Sequence, residues 1–227
     1  MIDTTLIISA YKPSGLLQKC LNSIIQYTDL DKVKILVVCN GSDKESADYL
    51  ISLNHSNINF IWYTDPLGYT VATNIGIKHA QTPYLLLLNT DTFITDHPKH
   101  GWVQEIINPL KADSNLAVTG ITPAWAHGWL YFPFACVGIN KHIMEKMSYL
   151  DEIFSPGYGE DIDYCIRVVK AGYTIKLVAN VVVDDSVKYN FSNFPVCHDV
   201  GQSYKEKSWE YLQRARKIID ERHFNMK

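Results

Sequence analysis

The chain has 227 residues, 47% of them hydrophobic and 20% charged, which supplies enough apolar side chain for the core of one α/β domain. A formal net charge of -3 gives no general attraction for polyphosphate and argues against a broad nonspecific nucleic-acid surface. Cys20, Cys39, Cys136, Cys165 and Cys197 are scattered without a close pair, the pattern of free buried thiols and neither a disulfide framework nor a thiolate zinc site.

In chain order, β-rich runs at 4–9, 34–39, 58–63 and 84–88 alternate with helical patterns at 16–26, 45–53 and 71–80. Residues 84–88 are apolar at almost every position, as a strand covered on both faces must be. Repeated βα units imply a parallel sheet with helices on both sides. Ligands of such sheets bind beyond the carboxyl ends of the strands. Tyr11 and Lys12 follow the first run, Asn40 to Asp43 the second and Asn89 to Asp91 the fourth. The residues best suited to chemistry therefore fall where a ligand is expected.

The second half is less regular. A helix is predicted at 102–110, a strand at 116–120, an aromatic-rich stretch at 125–134 and a helix from Glu160 that ends at Gly172, a natural left-handed cap. A strand at 175–183 follows, then a charged helix over 204–223 with Trp209, Leu212 and Ile219 as anchors. We expect one domain, 1–227, with a ligand-binding half at about 1–120, a second half at 121–203 and a C-terminal helix at 204–227. The opening Met1-Ile2-Asp3 carries no basic n-region and no apolar run is long enough to cross a bilayer, so a cytosolic protein without an integral membrane segment is expected. The basic residues of the C-terminal helix leave a peripheral membrane position open.

Four blocks carry a family resemblance: Leu6-Ile7-Ile8-Ser9-Ala10-Tyr11, Ile35-Leu36-Val37-Val38-Cys39-Asn40-Gly41-Ser42, the run from Leu67 through Asp91, and Gly159-Glu160-Asp161-Ile162-Asp163. In this order they resemble the inverting family-two glycosyltransferases of the GT-A fold, most closely the rhamnosyltransferase-like branch, over roughly residues 4–203. The resemblance implies an α/β, Rossmann-like and mostly parallel central sheet flanked by helices, with a C-terminal acceptor-side region. It also implies transfer of a sugar from a UDP- or dTDP-linked donor to an acceptor hydroxyl, most readily on a glycan or glycoconjugate.

Breaking the sugar–diphosphate bond adds negative charge to the leaving group, and a divalent ion, Mn2+ or Mg2+, can neutralise it. Asn89-Thr90-Asp91 stands in the place of the family's Asp-x-Asp motif, which implies Asp91 as a metal ligand, with Asn89 and Thr90 at the donor. His198 resembles a late family histidine that completes the metal site, and Asp184 or Asp185 competes for that place. For the donor, Ser9 and Tyr11 would meet the nucleoside, Asn40 or Asp43 would read its base now that Cys39 replaces the usual acid, and Gly68 and Asn74 would line the diphosphate and sugar pocket.

Inverting transfer needs a base for the acceptor hydroxyl proton. By resemblance that base is Asp161, with Glu160 orienting it or touching the acceptor, whereas Asp163 has a structural partner in Arg167 one turn on. Trp129, from the aromatic stretch that includes Trp125, Tyr131, Phe132 and Phe134, is the candidate acceptor contact. The alternative is a nucleotide-sugar-binding protein of the same fold without catalysis.

Overall fold

The computed structural model describes residues 1–11, 14–95, 101–178, 196–198 and 207–224. The elements run β1 (Thr4–Ala10), α1 (Ser14–Tyr27), β2 (Lys34–Asn40), α2 (Lys44–Leu53), β3 (Ile58–Tyr63), α3 (Tyr69–His79), β4 (Tyr84–Asn89) and β5 (Thr92–Ile94). They continue α4 (Trp102–Ala112), β6 (Leu116–Gly120), β7 (Ala124–Ala126), β8 (Trp129–Tyr131), β9 (Cys136–Asn140), α5 (Lys141–Lys146), a 3-10 turn (Glu152–Phe154) and α6 (Glu160–Lys170). Last come β10 (Thr174–Leu177), β11 (Val196–His198), α7 (Ser208–Ile219) and a π-helical turn (Asp220–Phe224). Of the strand expected at 175–183, residues 179–183 lie outside the described residues.

Seven strands form one sheet in the order β10-β6-β9-β4-β1-β2-β3, and only β9 runs antiparallel to its neighbours. The register pairs Leu6 with Ile35 and with Leu86, so apolar residues meet across the centre. Alternate side chains divide between two cores. Leu6, Ile8, Leu86 and Leu88 pack beneath Leu17, Leu21, Ile24, Leu50, Trp102 and Ile106 of α1, α2 and α4. Ile7, Leu85 and Leu87 pack on the other side with Ile77, Ile143, Met144, Tyr164 and Val168 of α3, α5 and α6. This explains the uninterrupted apolar run in β4, since a polar residue at either phase would be buried without a partner.

α7 departs from the expected packing. Ala215 and Ile219 are buried with Phe154 in a third apolar cluster, but Trp209 is 72% exposed and Leu212 44% exposed. Only the second half of that helix is anchored. Cys20, Cys39, Cys136 and Cys165 are free and buried, as their spacing implies. Among the described residues no helix is long and apolar enough to cross a membrane.

Candidate functional site

A cleft of about 310 Å³ opens along the carboxyl edge of the sheet. One wall comes from strand ends and the turns after them: Ser9, Tyr11, Asn40, Asn89, Thr90 and Asp91. The facing wall is built by Tyr131, Pro133 and Phe134 and by the start of α6 with Glu160, Asp161 and Ile162. Parallel strands end together, so residues far apart in sequence arrive at one edge.

Local chemistry fixes each side chain. The Ser9 hydroxyl shares a 2.8 Å hydrogen bond with Thr73 on α3. The buried Asn40 carboxamide oxygen accepts from the backbone N–H of Leu67 and, at 3.2 Å, from that of Gly68. Asn40 thereby holds the loop that opens α3. Gly68 has φ +87°, and a Cβ there would lie 2.6 Å from Cα of Pro156, so the turn requires glycine.

At the end of β4 the chain turns through Thr90 and Asp91 into β5, which pairs antiparallel with β11 and sets His198 opposite Thr92. This brings His198 Nε2 to 3.1 Å from Asp91 Oδ1. At that distance the two side chains share a hydrogen bond. The Asn89 carboxamide oxygen is buried without a hydrogen-bond partner, an orphan acceptor in the same cleft. Among the described residues lining the cleft there is no lysine or arginine. A diphosphate there would meet Asp91, Glu160 and Asp161 with no lysine or arginine among the described lining residues to balance it, and a hard divalent ion fits that deficit. Among the described residues no three His, Cys, Asp or Glu side chains converge. Asp91, His198 and the Asn89 oxygen are the side chains that would hold such an ion.

The acidic end has a different character. Burial at the cleft floor pushes the Asp161 carboxyl up to about 6, although the backbone N–H groups of Ile162, Asp161 and Phe134 pull it down. Glu160 is raised well above the usual carboxylate range, first by burial and then by Asp161 beside it, and its Oε2 is buried without a partner. Burial therefore disfavours the charged form of both carboxyls, and that of Glu160 more strongly because Asp161 stands beside it. Asp163 is unlike both. Burial raises its carboxyl, but Arg167, His223 and Arg222 outweigh that and hold it below the usual range. Arg167 Nε lies at 2.7 Å, Arg222 Nη1 at 2.9 Å and His223 Nε2 at 2.9 Å from its oxygens. The structural partnership with Arg167 is present, extended by two residues of the C-terminal turn.

Four expected site residues are not in the lining of this cleft: Gly68, whose turn packs against Pro156, and Asp43, Asn74 and Trp129. Asp43 caps α2, accepting from Ser46 N at 3.0 Å. Asn74 faces the opposite side of α3, where its amide donates to Leu150 O at 2.9 Å and its oxygen accepts from Leu150 N at 3.2 Å. Trp129 lies outside the cleft lining with Lys170 Nζ 5.6 Å from its ring centre, and Tyr131, two residues on, lines the cleft instead. Sequence reasoning missed Tyr69, Tyr158 and Leu212, all in the lining. The Gly157-Tyr158-Gly159 spacing before an acidic helix start was a usable signal for Tyr158; nothing local marks Leu212. Asp184 and Asp185, and the 201–203 setting of His198, lie outside the described residues.

The sequence profile described as Glycosyl transferase family 2 matches residues 5–145. Curated proteins yield no match. Among solved structures, the mannosyltransferase PcManGT from Pyrobaculum calidifontis, in complex with GDP-Man and Mn2+, is similar with TM-score 0.63 and 16% identity over 77% of this chain and 54% of that one. GalNAc-T7 with UDP, GalNAc and Mn2+ is similar with TM-score 0.67 and 14% identity over 78% of this chain and 42% of that one. The chain thus spans about half the length of these two structures. At such identities the likeness is one of fold, a GT-A α/β architecture.

Proposed function

Because the chain belongs to glycosyl transferase family 2, we propose that it is an inverting glycosyltransferase that moves a hexose or deoxyhexose from a UDP- or dTDP-linked donor to an acceptor hydroxyl in the cytosol. The observation that carries this reading is one cleft holding both the Asp91–His198 pair and a half-buried carboxylate, Asp161, raised to about 6. One end is suited to a leaving diphosphate and the other to a proton.

Ser9, Tyr11 and Asn40 receive the nucleoside at the ends of β1 and β2, and Gly68 with Asn89, Thr90 and Asp91 receives the diphosphate and sugar. A divalent ion, Mn2+ or Mg2+, held by Asp91, His198 and the Asn89 oxygen would supply the positive charge that stabilises the leaving diphosphate. The acceptor hydroxyl attacks C1 from the face opposite the diphosphate. Its proton passes to Asp161, the new C1–O bond forms and the C1–O bond to phosphate breaks, so the anomeric configuration inverts. A carboxyl near 6 is mostly ionised at neutral pH and still basic enough to take that proton. Glu160, holding its own proton, donates a hydrogen bond to the acceptor or the transferred sugar.

Calorimetric titration of UDP- and dTDP-sugars, with Mn2+, Mg2+ or EDTA, tests the donor end. Asp91→Ala and His198→Ala should remove the metal-dependent part of binding, and Asp91→Ala should slow donor consumption by roughly a hundredfold or more. Full binding and turnover in EDTA would refute the metal assignment. NMR of the product showing a retained anomer would refute inversion, and donor binding without hydrolysis or transfer would favour the binding-protein alternative.

A further inference from the structure

α7 carries one apolar face, and only half of it is covered. Trp209, Leu212, Ala215 and Ile219 follow the helical repeat and lie on a single stripe. The second half of the stripe is closed: Ala215 and Ile219 are buried with Phe154, and a Cβ on Gly159 would come within 2.8 Å of the Ala215 Cβ. That half is also locked in place. Arg222 pairs with Asp151 at 2.8 Å and with Asp163 at 2.9 Å, and Arg214 donates to Ser155 O. The first half, with Trp209 and Leu212, is open.

The open half does not end in featureless solvent. Leu212 lines the cleft that holds Asp161, together with Tyr131, Pro133, Tyr158 and Ile162. Trp209 stands one turn farther out on the same stripe. A ligand whose hydroxyl reaches Asp161 would have its remainder directed along Tyr158 and Leu212 toward Trp209. The family profile stops at residue 145, before α6 and α7. This wall is therefore a feature of the chain's own C-terminal part.

Resting on the glycosyltransferase reading above, we propose that the open half of α7 selects the acceptor, which is an amphipathic hydroxyl compound of the alkyl-glycoside type. Its hydroxyl end sits at Asp161 and its apolar portion covers Leu212 and Trp209. A fixed helix can serve here because the Asp163–Arg222 attachment holds it to the same helix that carries Asp161. An aliphatic leucine and an outlying tryptophan on one stripe favour a flexible apolar chain over a second sugar ring.

The test is binding of octyl β-glucoside, below its micelle concentration, against methyl β-glucoside, with UDP and Mn2+ present, read by saturation-transfer NMR. The octyl compound should bind about tenfold tighter or more, the value of roughly two buried methylenes, with saturation on its chain protons. Leu212→Ala and Trp209→Ala should each reduce that preference several-fold, and Ile51→Ala, which removes an exposed side chain on α2, should preserve it. Equal binding of the two glycosides, or a preference unchanged in both α7 variants, overturns the proposal. So does a self-associated dimer in sedimentation that Trp209→Ala dissociates, because a second copy would then cover the stripe. Uridine protons in the same tube report nucleotide binding, so failure of the donor reading is seen separately from failure at α7.

Discussion

Asp161→Asn should abolish turnover and stabilise the fold, and the second effect should depend on pH. The native carboxyl is raised from 3.8 to about 6 by burial. A group with a raised folded-state value binds its proton more tightly in the native state. The native chain therefore loses stability as pH climbs from about 4 to about 6, and the loss is complete above that. Two units correspond to about 3 kcal/mol, an upper bound because the cleft admits water to the ionised form. Asparagine keeps the acceptor oxygen for the Ile162 N–H, 2.8 Å away in the native site, and has no charge to desolvate. Scanning calorimetry of the metal-free and nucleotide-free proteins should show the variant more stable at pH 8, at roughly 2–4 °C per kcal/mol for a chain of this size. The gap should close toward pH 4.5. Donor hydrolysis by the native enzyme should rise with pH through about 6, and the variant should lie roughly a hundredfold to ten-thousandfold lower with donor affinity kept. A variant less stable at pH 8, or a gap equal at both pH values, would refute the desolvation argument. Loss of donor binding along with turnover would make Asp161 a donor-site acid.

Asp163→Ala strips a fully buried carboxylate from Arg167, Arg222 and His223, and breaking such a cluster typically costs about 3–5 kcal/mol. Urea unfolding should show that loss, and a change under about 1 kcal/mol would mean the cluster contributes little. Gly68→Ala places a methyl group 2.6 Å from the Pro156 backbone at φ +87°, so it should destabilise by about 1–3 kcal/mol and weaken nucleotide binding together. Unchanged melting and affinity would show that the α3 loop relaxes freely.

The centre of the sheet was legible because β1, β4 and β6 are buried on both faces. β3 and β6 start and stop where their apolar runs do, and the pairing of Leu6 with Leu86 follows from two such runs lying parallel. Asp91, His198, Glu160 and Asp161, singled out by the family resemblance, lie in one cleft because each stands at a strand or helix end. Asn74 was misplaced for a related reason. A polar residue on a helix between two glycine-containing turns suits a ligand contact, but the helix phase turns it to Leu150, whose backbone N–H and C=O it satisfies. Trp129 and Tyr131 share an alternation in β8, and only the hairpin's position on α6 decides which reaches the cleft. Leu212 had no local mark at all, since its role depends on how far α7 overhangs the sheet edge.

The charges of the cleft connect these observations. A site with no lysine or arginine among its described lining residues must limit its own negative charge if a nucleoside diphosphate is to enter. Placing asparagine at position 89 removes one charge beside Asp91, and burying Glu160 against Asp161 disfavours the charged form of a second. Two charged carboxylates then remain, Asp91 beside His198 and Asp161 at the far wall, one for each end of the proposed transfer. Asp163, the third acid of the α6 start, pairs with Arg167 and with Arg222 and His223 of the C-terminal turn. The C-terminal segment consequently bears on the cleft twice: Arg222 and His223 pair with Asp163 two residues from Asp161, and Leu212 lines the cleft itself.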